Sequence, residues 1–349
     1  MKLKREQRAT GKVNVAVVGL GFMGVTHLRA YLQNKAARVV AVCDSVRLPV
    51  KGVLAGVAGN IKKSDDIHLG PQVRVYRQLD EVLADPEVEL VDLCTPTPLH
   101  ADQAIAALKG GKHVLCEKPL ARTSTAASKI LRAAQNAPGF IMPAMCMRFW
   151  PGWSWLKNVV DEQTYGKVLA ARFQRLSAMP GWSKQGTYTG AVDLGGALFD
   201  LHIHDTDFAQ FLFGRPKSVF ASGVIRVGGS IHHVVTQYNF AGGPAVSAEG
   251  SWLRAQGFNM GYTVLCERAT VDFDLSRGAS ALHVTESGRS PRIVKLKAGD
   301  GYGAEINYML HCVRSGKSPA VVTARDGMTA LEICEAEEQS VRTGRVVKL

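Results

Sequence analysis

An aspartate and a histidine stand four residues apart, at Asp200 and His204, within residues 195–213. Apolar residues recur through this segment at helical spacing, at positions 198, 201, 208, 211 and 212. Residues i and i+4 of a helix share one face, so the carboxylate can orient the imidazole ring or bind the same ligand. An imidazole titrates near neutral pH and is suited to take a proton from a hydroxyl group. The pair therefore predicts acid–base chemistry on a helix, with Asp207 as a candidate hydrogen-bond partner for His204.

A second histidine, His202, forms an H-x-H pattern with His204. On a strand these two side chains would share a face and could bind a metal ion together. On a helix they lie about 200° apart, at ~100° per residue, and point in different directions. The helical pattern therefore disfavours a metal site, and we predict none. For His202 the favoured interpretation is a structural histidine.

The sequence Gly19-Leu-Gly21-Phe-Met-Gly24 follows a β-branched apolar run and precedes a helical pattern. In this spacing the first glycine permits a tight turn, and the second lets the backbone approach a pyrophosphate. The third glycine allows a helix to pack closely on a strand. The N–H groups at the helix N-terminus then bind the phosphate charge. The pattern predicts a dinucleotide site that includes Phe22 and Met23.

Asp44 ends the second apolar run, about 20 residues after Gly24, as this type of site requires. A carboxylate there accepts hydrogen bonds from the ribose hydroxyls of NAD and repels the 2′-phosphate of NADP. Arg47 is close enough in sequence to neutralise such a phosphate. We therefore expect NAD as the cofactor, with NADP as the alternative.

Two further segments follow apolar runs: Thr95-Pro96-Thr-Pro-Leu-His100 and Glu117-Lys118-Pro. Open parallel sheets bind their ligands at the carboxyl ends of the strands, and proline stiffens the loops there. We expect these residues to contact the cofactor. Lys118 would project its positive charge beside the nicotinamide.

The elements that must position these residues fall into two groups. Up to residue 147, short apolar runs alternate with helical patterns. The runs are at 13–18, 38–43, 89–94, 113–116 and 140–142, and the helical patterns are at 25–33, 78–84, 98–109 and 123–136. This alternation predicts an α/β fold, with a Rossmann dinucleotide-binding domain over residues 12–147. Residues 1–11 are expected to be a basic N-terminal tail.

After residue 148, longer alternating runs are linked by glycine turns rather than by helices. The runs are at 167–178, 218–227, 232–240, 261–275 and 281–288, and helical patterns are near 194–213, 303–315 and 326–343. This pattern predicts an α+β domain over residues 148–349, with a large, mostly antiparallel open sheet.

Composition excludes several classes of protein. Of the 349 residues, 46% are hydrophobic and 21% are charged, which is typical of a globular chain and not of a disordered one. No stretch approaches the ~18 apolar residues that a membrane span requires, so no membrane partner is expected. The seven cysteines include no C-x-x-C pair, which favours reduced thiols in the cytoplasm. The net charge of +12 is dispersed and comes without a basic–aromatic motif, so it favours an anionic cofactor over nucleic acid.

The segments GLGFMG, TPTPLH and CEKPLA, in this order, resemble the glucose–fructose oxidoreductase / inositol dehydrogenase / rhizopine catabolism (Gfo/Idh/MocA) family. The similarity continues through RFWP at 148–151, GKV at 166–168, GGALFDLHIHDTD at 195–207 and SVRTG at 340–344. It therefore covers nearly the whole chain. The resemblance implies that Lys118 contacts both substrate and nicotinamide, through a loop whose Lys118–Pro119 bond is often cis. It also implies that Asp200 and His204 are the catalytic pair.

The resemblance also places Arg148 and Trp182 near the substrate. A tryptophan packs against the apolar face of a sugar ring, and an arginine donates to hydroxyl or carboxylate oxygens. The family commonly has a small residue where this chain has His202, so the imidazole there would reshape the pocket or contact a neighbouring subunit.

The function implied by the resemblance is NAD(P)-dependent oxidation or reduction of a sugar, polyol or related ring compound. Hydride would pass between the nicotinamide and a secondary alcohol or ketone, with the substrate lying between the two domains. Family members are commonly homodimers or homotetramers, which would form here through the C-terminal sheet. Two alternatives remain: an NAD-dependent glycoside-cleaving enzyme that works by transient oxidation, and a non-catalytic dinucleotide-binding regulatory protein. The joint presence of Lys118, Asp200 and His204 argues against the second.

Overall fold

A computed structural model describes residues 11–57, 65–180, 195–226 and 228–349. The chain divides into two compact units. The first unit comprises Met1–Cys146 and Asp300–Met328, and the second comprises Met147–Gly299 and Thr329–Leu349. In the described part of the chain, no helix is both long enough and apolar enough to cross a membrane. The tail expected at 1–11 lies outside the described residues, apart from Gly11.

The first unit is built on a six-stranded parallel sheet. Its strands are β1 Val13–Val18, β2 Ala37–Cys43, β5 Arg74–Tyr76, β6 Leu90–Leu93, β7 His113–Glu117 and β8 Ile141–Ala144, and β3 Val53–Leu54 pairs with β4 Ile67–His68 apart from it. The strand order is β5-β2-β1-β6-β7-β8. This order reverses between β1 and β6, which is where doubly wound sheets bind ligands at the carboxyl ends of their strands. The predicted Rossmann fold is confirmed.

Helices cover both faces of this sheet because its strands are apolar throughout. They are α1 Phe22–Gln33, α2 Leu79–Ala84, α3 Thr97–Lys109 and α4 Ser124–Gln135. Each contributes buried side chains, such as Leu28 of α1 and Leu108 of α3. The short strands β3, β4 and β5 were not predicted, because runs of two or three half-polar residues carry no periodic signal.

A further helix, α7 Gly301–Ser315, packs against α1 and contacts strands β1 and β8 of the same sheet. The sequence analysis placed residues 148–349 in one domain, whereas Asp300–Met328 belongs to the first unit. A helical period shows that a segment has an apolar face, but it does not show which sheet that face covers. The helical pattern therefore could not predict that this segment returns to the first unit.

The second unit contains a nine-stranded sheet. Its strands are β9 Val168–Ala178, β10 Ser218–Ile225, β11 Ile231–Asn239, β12 Ala245–Ser251, β13 Leu253–Cys266, β14 Ala269–Asp274, β15 Leu282–Glu286, β16 Arg292–Ile293 and β17 Val347–Lys348. The order is β16-β15-β14-β13-β9-β12-β11-β10-β17. Every neighbouring pair is antiparallel except β9 with β12. The mostly antiparallel sheet is therefore confirmed, with one parallel pair added by β12.

Helices of the second unit pack on one face of this sheet. They are α5 Pro151–Asp161, α6 Ile203–Phe213 and most of α8 Ala324–Thr343. Trp153 of α5 is fully buried and makes edge contacts with Phe208 of α6 at 4.8 Å and with Tyr262 of β13 at 5.1 Å. Such aromatic pairs contribute about 0.5–1.5 kcal/mol beyond the area they bury. This aromatic cluster fixes α6, which carries His204 of the predicted acid–base pair, against the sheet.

Candidate active site

The glycine-rich loop leaves the carboxyl end of β1. Gly19 has a φ of +88°, and a Cβ there would lie 2.6 Å from the carbonyl oxygen of Cys94. A Cβ on Gly24 would lie 1.8 Å from the carbonyl oxygen of Gly19, so glycine is required at both positions. Around Gly21, in contrast, an added Cβ would meet no described atom within 4 Å. The loop is closed at its two ends and open at its middle glycine.

That opening lies at the N-terminus of α1. No side chain of the described residues caps this terminus, and its first turn carries no acidic residue. Phe22 and Met23 form the turn and are half-buried. Backbone N–H groups at such a terminus favour an anion such as a phosphate.

Asp44, at the end of β2, braces this loop. Its Oδ2 atom accepts from the Leu20 N–H at 2.7 Å. Its Oδ1 atom accepts from the N–H groups of Val46 and Arg47 at 2.9 and 2.8 Å. The Arg47 guanidinium donates to the carbonyl oxygens of Leu20 and Ala55. The Arg47 guanidinium and both oxygens of Asp44 are therefore engaged by the backbone of this region.

Thr95 and Pro96 form the loop that follows β6, with Pro96 at the N-cap of α3. The Thr95 hydroxyl donates to Gln103 Oε1 at 2.5 Å. His100 was predicted to bind the cofactor, but it is buried. Its ring nitrogens lie 2.7 Å from the Thr95 carbonyl oxygen and 2.8 Å from the Pro119 carbonyl oxygen. Burial lowers the pKa of His100 below its ordinary value. This histidine ties two site loops together.

Lys118 follows β7, is half-buried, and joins Pro119 through a cis peptide bond. The preceding Glu117 was also predicted to bind the cofactor, but its side chain turns inward and is buried. Its Oε2 atom accepts from the Lys118 N–H at 2.9 Å, and Oε1 lies 3.3 Å from His27 Nε2. Burial opposes ionisation of Glu117, but the hydrogen bond and charge of His27 and the charge of Lys118 prevail and lower its pKa. Glu117 thus holds the backbone of Lys118.

In the second unit, Asp200 and His204 lie where a π-helical turn, Leu198–His202, runs into α6. The sequence predicted a helix here but not the wider π turn, a feature that is frequent at functional sites. Every residue from 195 to 209 is buried except these two, which remain partly accessible. The helix therefore buries all of its surroundings and presents this carboxylate and imidazole together.

Arg148 and Asp207 bind each other. Arg148 Nε donates to Asp207 Oδ2 at 2.8 Å and Nη2 donates to Oδ1 at 2.7 Å, with both side chains buried. Asp207 also accepts from Gln210 at 3.0 Å. Arg148 was expected at the substrate and Asp207 beside His204. The structure pairs the two side chains with each other, and this bidentate pair uses two of the five N–H donors of Arg148.

His202 points into the sheet. Its ring is fully buried, and Nε2 lies 3.3 Å from the Tyr238 hydroxyl and 3.5 Å from Glu337 Oε2. A Cβ on Gly250 of β12 would lie 2.6 Å from the His202 Cβ atom. The structural interpretation of His202 agrees with this position, whereas a role in reshaping a pocket does not. Trp182, the other predicted substrate residue, lies outside the described residues.

The sequence was compared with those of known proteins. Residues 13–144 match the family described as "Oxidoreductase family, NAD-binding Rossmann fold", and residues 153–272 match the "GFO/IDH/MocA C-terminal domain". The chain belongs to the GFO/IDH/MocA family. The family resemblance inferred from the motifs is thus confirmed, and so is the expectation of an NAD-binding oxidoreductase.

Individual relatives agree with this assignment. The chain is 29% identical to the scyllo-inositol 2-dehydrogenase (NAD(+)) of Bacillus subtilis, over 97% of this chain and 96% of that protein. It is 32% identical to the levoglucosan dehydrogenase of Pseudarthrobacter phenanthrenivorans, over 60% of this chain and 53% of that protein, so this match spans about half of the relative. A solved levoglucosan dehydrogenase in complex with NADH and levoglucosan shares the fold, with a TM-score of 0.80 at 22% identity over 97% of this chain and 99% of that one.

The residues of this GFO/IDH/MocA chain fit the NAD cofactor of its family. The open space at Gly21 and the start of α1 would receive a pyrophosphate, and the Asp44 carboxylate would accept from ribose hydroxyls. Thr95 and Lys118 follow neighbouring strands at the same edge of the sheet.

Sequence reasoning missed the buried charged residues beneath the loops of this family site. In the first unit these are His27, Asp92 and Glu305, and in the second unit they are Arg175 and Asp205. The available signal was a charged or polar residue at an apolar position of a periodic pattern, as at His27 in α1 and Asp92 in β6. Such positions show that a buried partner must exist but do not identify it.

Proposed function

We propose that this chain is an NAD-dependent dehydrogenase that interconverts a secondary alcohol and a ketone on a sugar, polyol or related ring compound. The observation that carries the proposal is the paired, partly accessible Asp200 and His204 on an otherwise buried helix segment. The dehydrogenase relatives support the substrate class, because levoglucosan and scyllo-inositol are both ring compounds with secondary hydroxyl groups.

The reaction divides between named side chains. When bound, NAD accepts a hydride from the carbinol carbon. His204 takes the hydroxyl proton, so that the alcohol becomes a ketone and the imidazole becomes imidazolium. Asp200 holds the substrate hydroxyl and orients the ring. Lys118 places its ammonium group at the same oxygen and stabilises the negative charge that develops there. Trp182 is proposed to pack against the substrate ring.

NAD rather than NADP is the proposed physiological cofactor. Asp44 presents a carboxylate that accepts from ribose hydroxyls and repels a 2′-phosphate. Arg47, the cation that could offset this repulsion, donates to two backbone carbonyl oxygens instead. We therefore expect a much higher kcat/KM with NAD than with NADP.

The test is turnover of a panel of sugars and cyclic polyols, followed by nicotinamide absorbance with NAD and with NADP. The expected result is NADH formation in proportion to the oxidised substrate, with NAD preferred. NADH binding without oxidation of any compound would instead favour a regulatory protein. Release of a free aglycone from a chromogenic glycoside, at catalytic NAD and without net NADH, would favour glycoside cleavage.

We also propose that the chain forms a homo-oligomer through the outer face of the nine-stranded sheet. Phe220, Val224 and Val235 are 40%, 40% and 37% exposed. They share this outer face, because Ser222 of β10 pairs with Val235 of β11 and Phe220 and Val224 are two residues to either side. Such an apolar patch is typical of a protein interface. The double variant Phe220→Lys, Val224→Lys should sediment as a monomer, and unchanged mass would contradict this surface.

The proposed compartment is the cytoplasm. All seven cysteines are free thiols, and four of them lie on the strands or helices of the first unit. Reduced thiols are typical of cytosolic proteins.

A further inference from the structure

A cluster of buried charged groups lies beneath the Lys118 loop and has no part in the reaction proposed above. His27 of α1 is at its centre and is fully buried. Three carboxyl groups face the imidazole: Asp92 of β6, Glu117 of β7 and Glu305 of α7. Burying one potential cation among three potential anions is costly unless the charges are matched, so the arrangement requires an explanation.

The two ring nitrogens of His27 have different carboxylate neighbours. Nδ1 lies 2.8 Å from Asp92 Oδ2, and Nε2 lies 3.3 Å from Glu117 Oε1. A neutral imidazole has a proton on only one nitrogen, so the other would turn a lone pair toward a carboxylate oxygen. An imidazolium ring donates in both directions. Asp92 at 2.8 Å and Glu117 at 3.3 Å therefore favour the charged ring, because both neighbours are carboxyl groups, unlike the neutral carbonyl oxygens that face His100.

The electrostatics agree with a charged ring. Burial would lower the pKa of His27, but the charge of Asp92 and the hydrogen bonds of Asp92 and Cys94 outweigh it and raise the pKa well above its ordinary value. The Tyr31 hydroxyl, one turn further along α1, also lies in the field of Asp92. For Glu305, burial and the nearby Glu117 and Asp92 raise the pKa well above its ordinary value, which favours the neutral, protonated carboxyl group.

A continuous path connects His27 to Lys118. The same Glu117 side chain that faces His27 with Oε1 accepts the Lys118 N–H with Oε2, at 2.9 Å. Glu117 is buried, so its carboxylate has few other positions open to it. The imidazolium thus fixes a carboxylate, and the carboxylate fixes the backbone from which the Lys118 side chain extends.

We propose that His27 is a positioning residue for Lys118, acting as a buried imidazolium between Asp92 and Glu117. The role of Lys118 itself rests on the proposed function, whereas the charge state of His27 does not. Two measurements separate these statements. One reads the ring directly, and the other reads its effect on turnover.

The first measurement is ¹⁵N NMR of wild-type protein labelled at histidine, without substrate or cofactor, between pH 6 and pH 9. Protonated and unprotonated ring nitrogens give well-separated signals. The expected result is one ring that keeps both nitrogens protonated at pH 8.5, where exposed histidines are neutral, and that disappears in His27→Gln. If every histidine ring is neutral at pH 8.5, the proposal is overturned. The signal is read on the wild-type protein, the variant serves only to assign it, and the result stands even if no polyol is oxidised.

The second measurement compares His27→Gln with His232→Gln, a matched control. His232 is also buried, but it lies on β11 in the second unit and its Nε2 faces the Ser230 hydroxyl at 2.9 Å rather than a carboxylate. For His27→Gln we expect kcat to fall about 10–100-fold, the size typical of a misplaced catalytic group. The KM for NAD should change far less. His232→Gln removes a hydrogen bond to a hydroxyl group and no contact with a carboxyl group, so it should lower kcat far less than His27→Gln does.

The pH profile separates positioning from simple damage. Without the imidazolium, Glu117 loses the partner that lowers its pKa, so its carboxylate should protonate at higher pH. The acid limb of the kcat profile of His27→Gln should therefore move to higher pH, and part of the lost activity should return as pH rises. A uniform loss at all pH values, or the same loss in His232→Gln, would overturn the positioning role.

Discussion

The two units stabilise their reactive side chains with buried charges, but they balance those charges differently. In the second unit the pairing is one to one. Arg148 binds Asp207, and Arg175 binds Asp205 through two contacts of 3.2 and 3.0 Å. In the first unit a single imidazole, His27, faces three carboxyl groups.

The two arrangements differ in whether their charges can change with pH. A guanidinium is always charged and binds a carboxylate with a fixed, bidentate geometry, so the pairs that flank α6 act as permanent braces. An imidazole and a buried carboxyl group can each change protonation state within the physiological range. The charges of the pairs around α6, which carries His204, thus stay constant with pH. The contacts that hold Lys118 depend instead on the protonation states of His27 and the carboxyl groups around it.

The largest expected effect comes from removing the reactive groups themselves. His204→Ala should lower kcat at least about 10²-fold, the lower end of the usual contribution of proton transfer. Lys118→Met should cause a loss of similar order, because it removes the charge at the reacting oxygen. The measurement is steady-state turnover, together with the Kd for NADH by fluorescence titration.

In both variants the Kd for NADH should stay near the wild-type value, because the glycine-rich loop and Asp44 are untouched. Near-normal turnover of His204→Ala would remove the acid–base role from the second unit. Lost NADH binding would show that the variant disturbs the fold instead.

The next effect tests the braces of the second unit. Asp207→Asn leaves the buried Arg148 guanidinium without its carboxylate, and it should lower the free energy of unfolding by about 3–5 kcal/mol. Denaturant unfolding measures this. The matched control is Arg289→Met, which breaks a pair with Glu286 in which Arg289 is 73% exposed, and which should cost about 0–1 kcal/mol. Equal losses of unfolding free energy in the two variants would mean that the buried pair stabilises the fold no more than the exposed pair does.

A smaller effect tests how closely the π turn is packed on the sheet. Gly250→Ala brings a methyl group to 2.6 Å from the His202 Cβ atom and should cost about 1–3 kcal/mol, which is typical of overpacking. Gly110→Ala is the control, because its added Cβ would meet nothing closer than 3.4 Å and its φ is −73°. Thermal unfolding of both variants is the measurement. If Gly250→Ala is as stable as Gly110→Ala, the turn is not pressed against β12.

Sequence predicted those parts of the molecule whose signal is local. The glycine spacing, the alternation of strands and helices, and the i, i+4 pair at Asp200 and His204 depend only on neighbours in the chain, and the structure places them as expected. The family motifs added Lys118, which a local pattern could not separate from a solvated lysine.

The remainder depends on contacts between distant segments. Arg148 meets Asp207 across 59 residues and His27 meets Asp92 across 65, and no periodicity encodes either pairing. The same limit explains why His100 and Glu117 were expected to contact the cofactor. Glu117 ends β7 and His100 lies in the first turn of α3, but the inward direction of both side chains is set by partners elsewhere in the chain.

The smallest effect has a sign opposite to that of Asp207→Asn, although both changes replace a buried carboxyl group by an amide. Burial and the neighbouring carboxylates raise the pKa of Glu305 in the folded state, so the folded protein holds this proton more tightly than the unfolded chain does. Between the unfolded pKa and the raised folded pKa, wild-type stability therefore falls as pH rises. Glu305→Gln has no proton to lose there. Its free energy of unfolding should exceed that of the wild type by a margin that grows with pH, by at most about 1.4 kcal/mol per unit.

Denaturant unfolding at pH 5, 7 and 8.5 measures the margin, and Asp207→Asn, which is destabilising at all three values, is the control. A margin that shrinks with pH would mean that Glu305 is ionised, and that the three carboxyl groups are balanced around His27 in some other way.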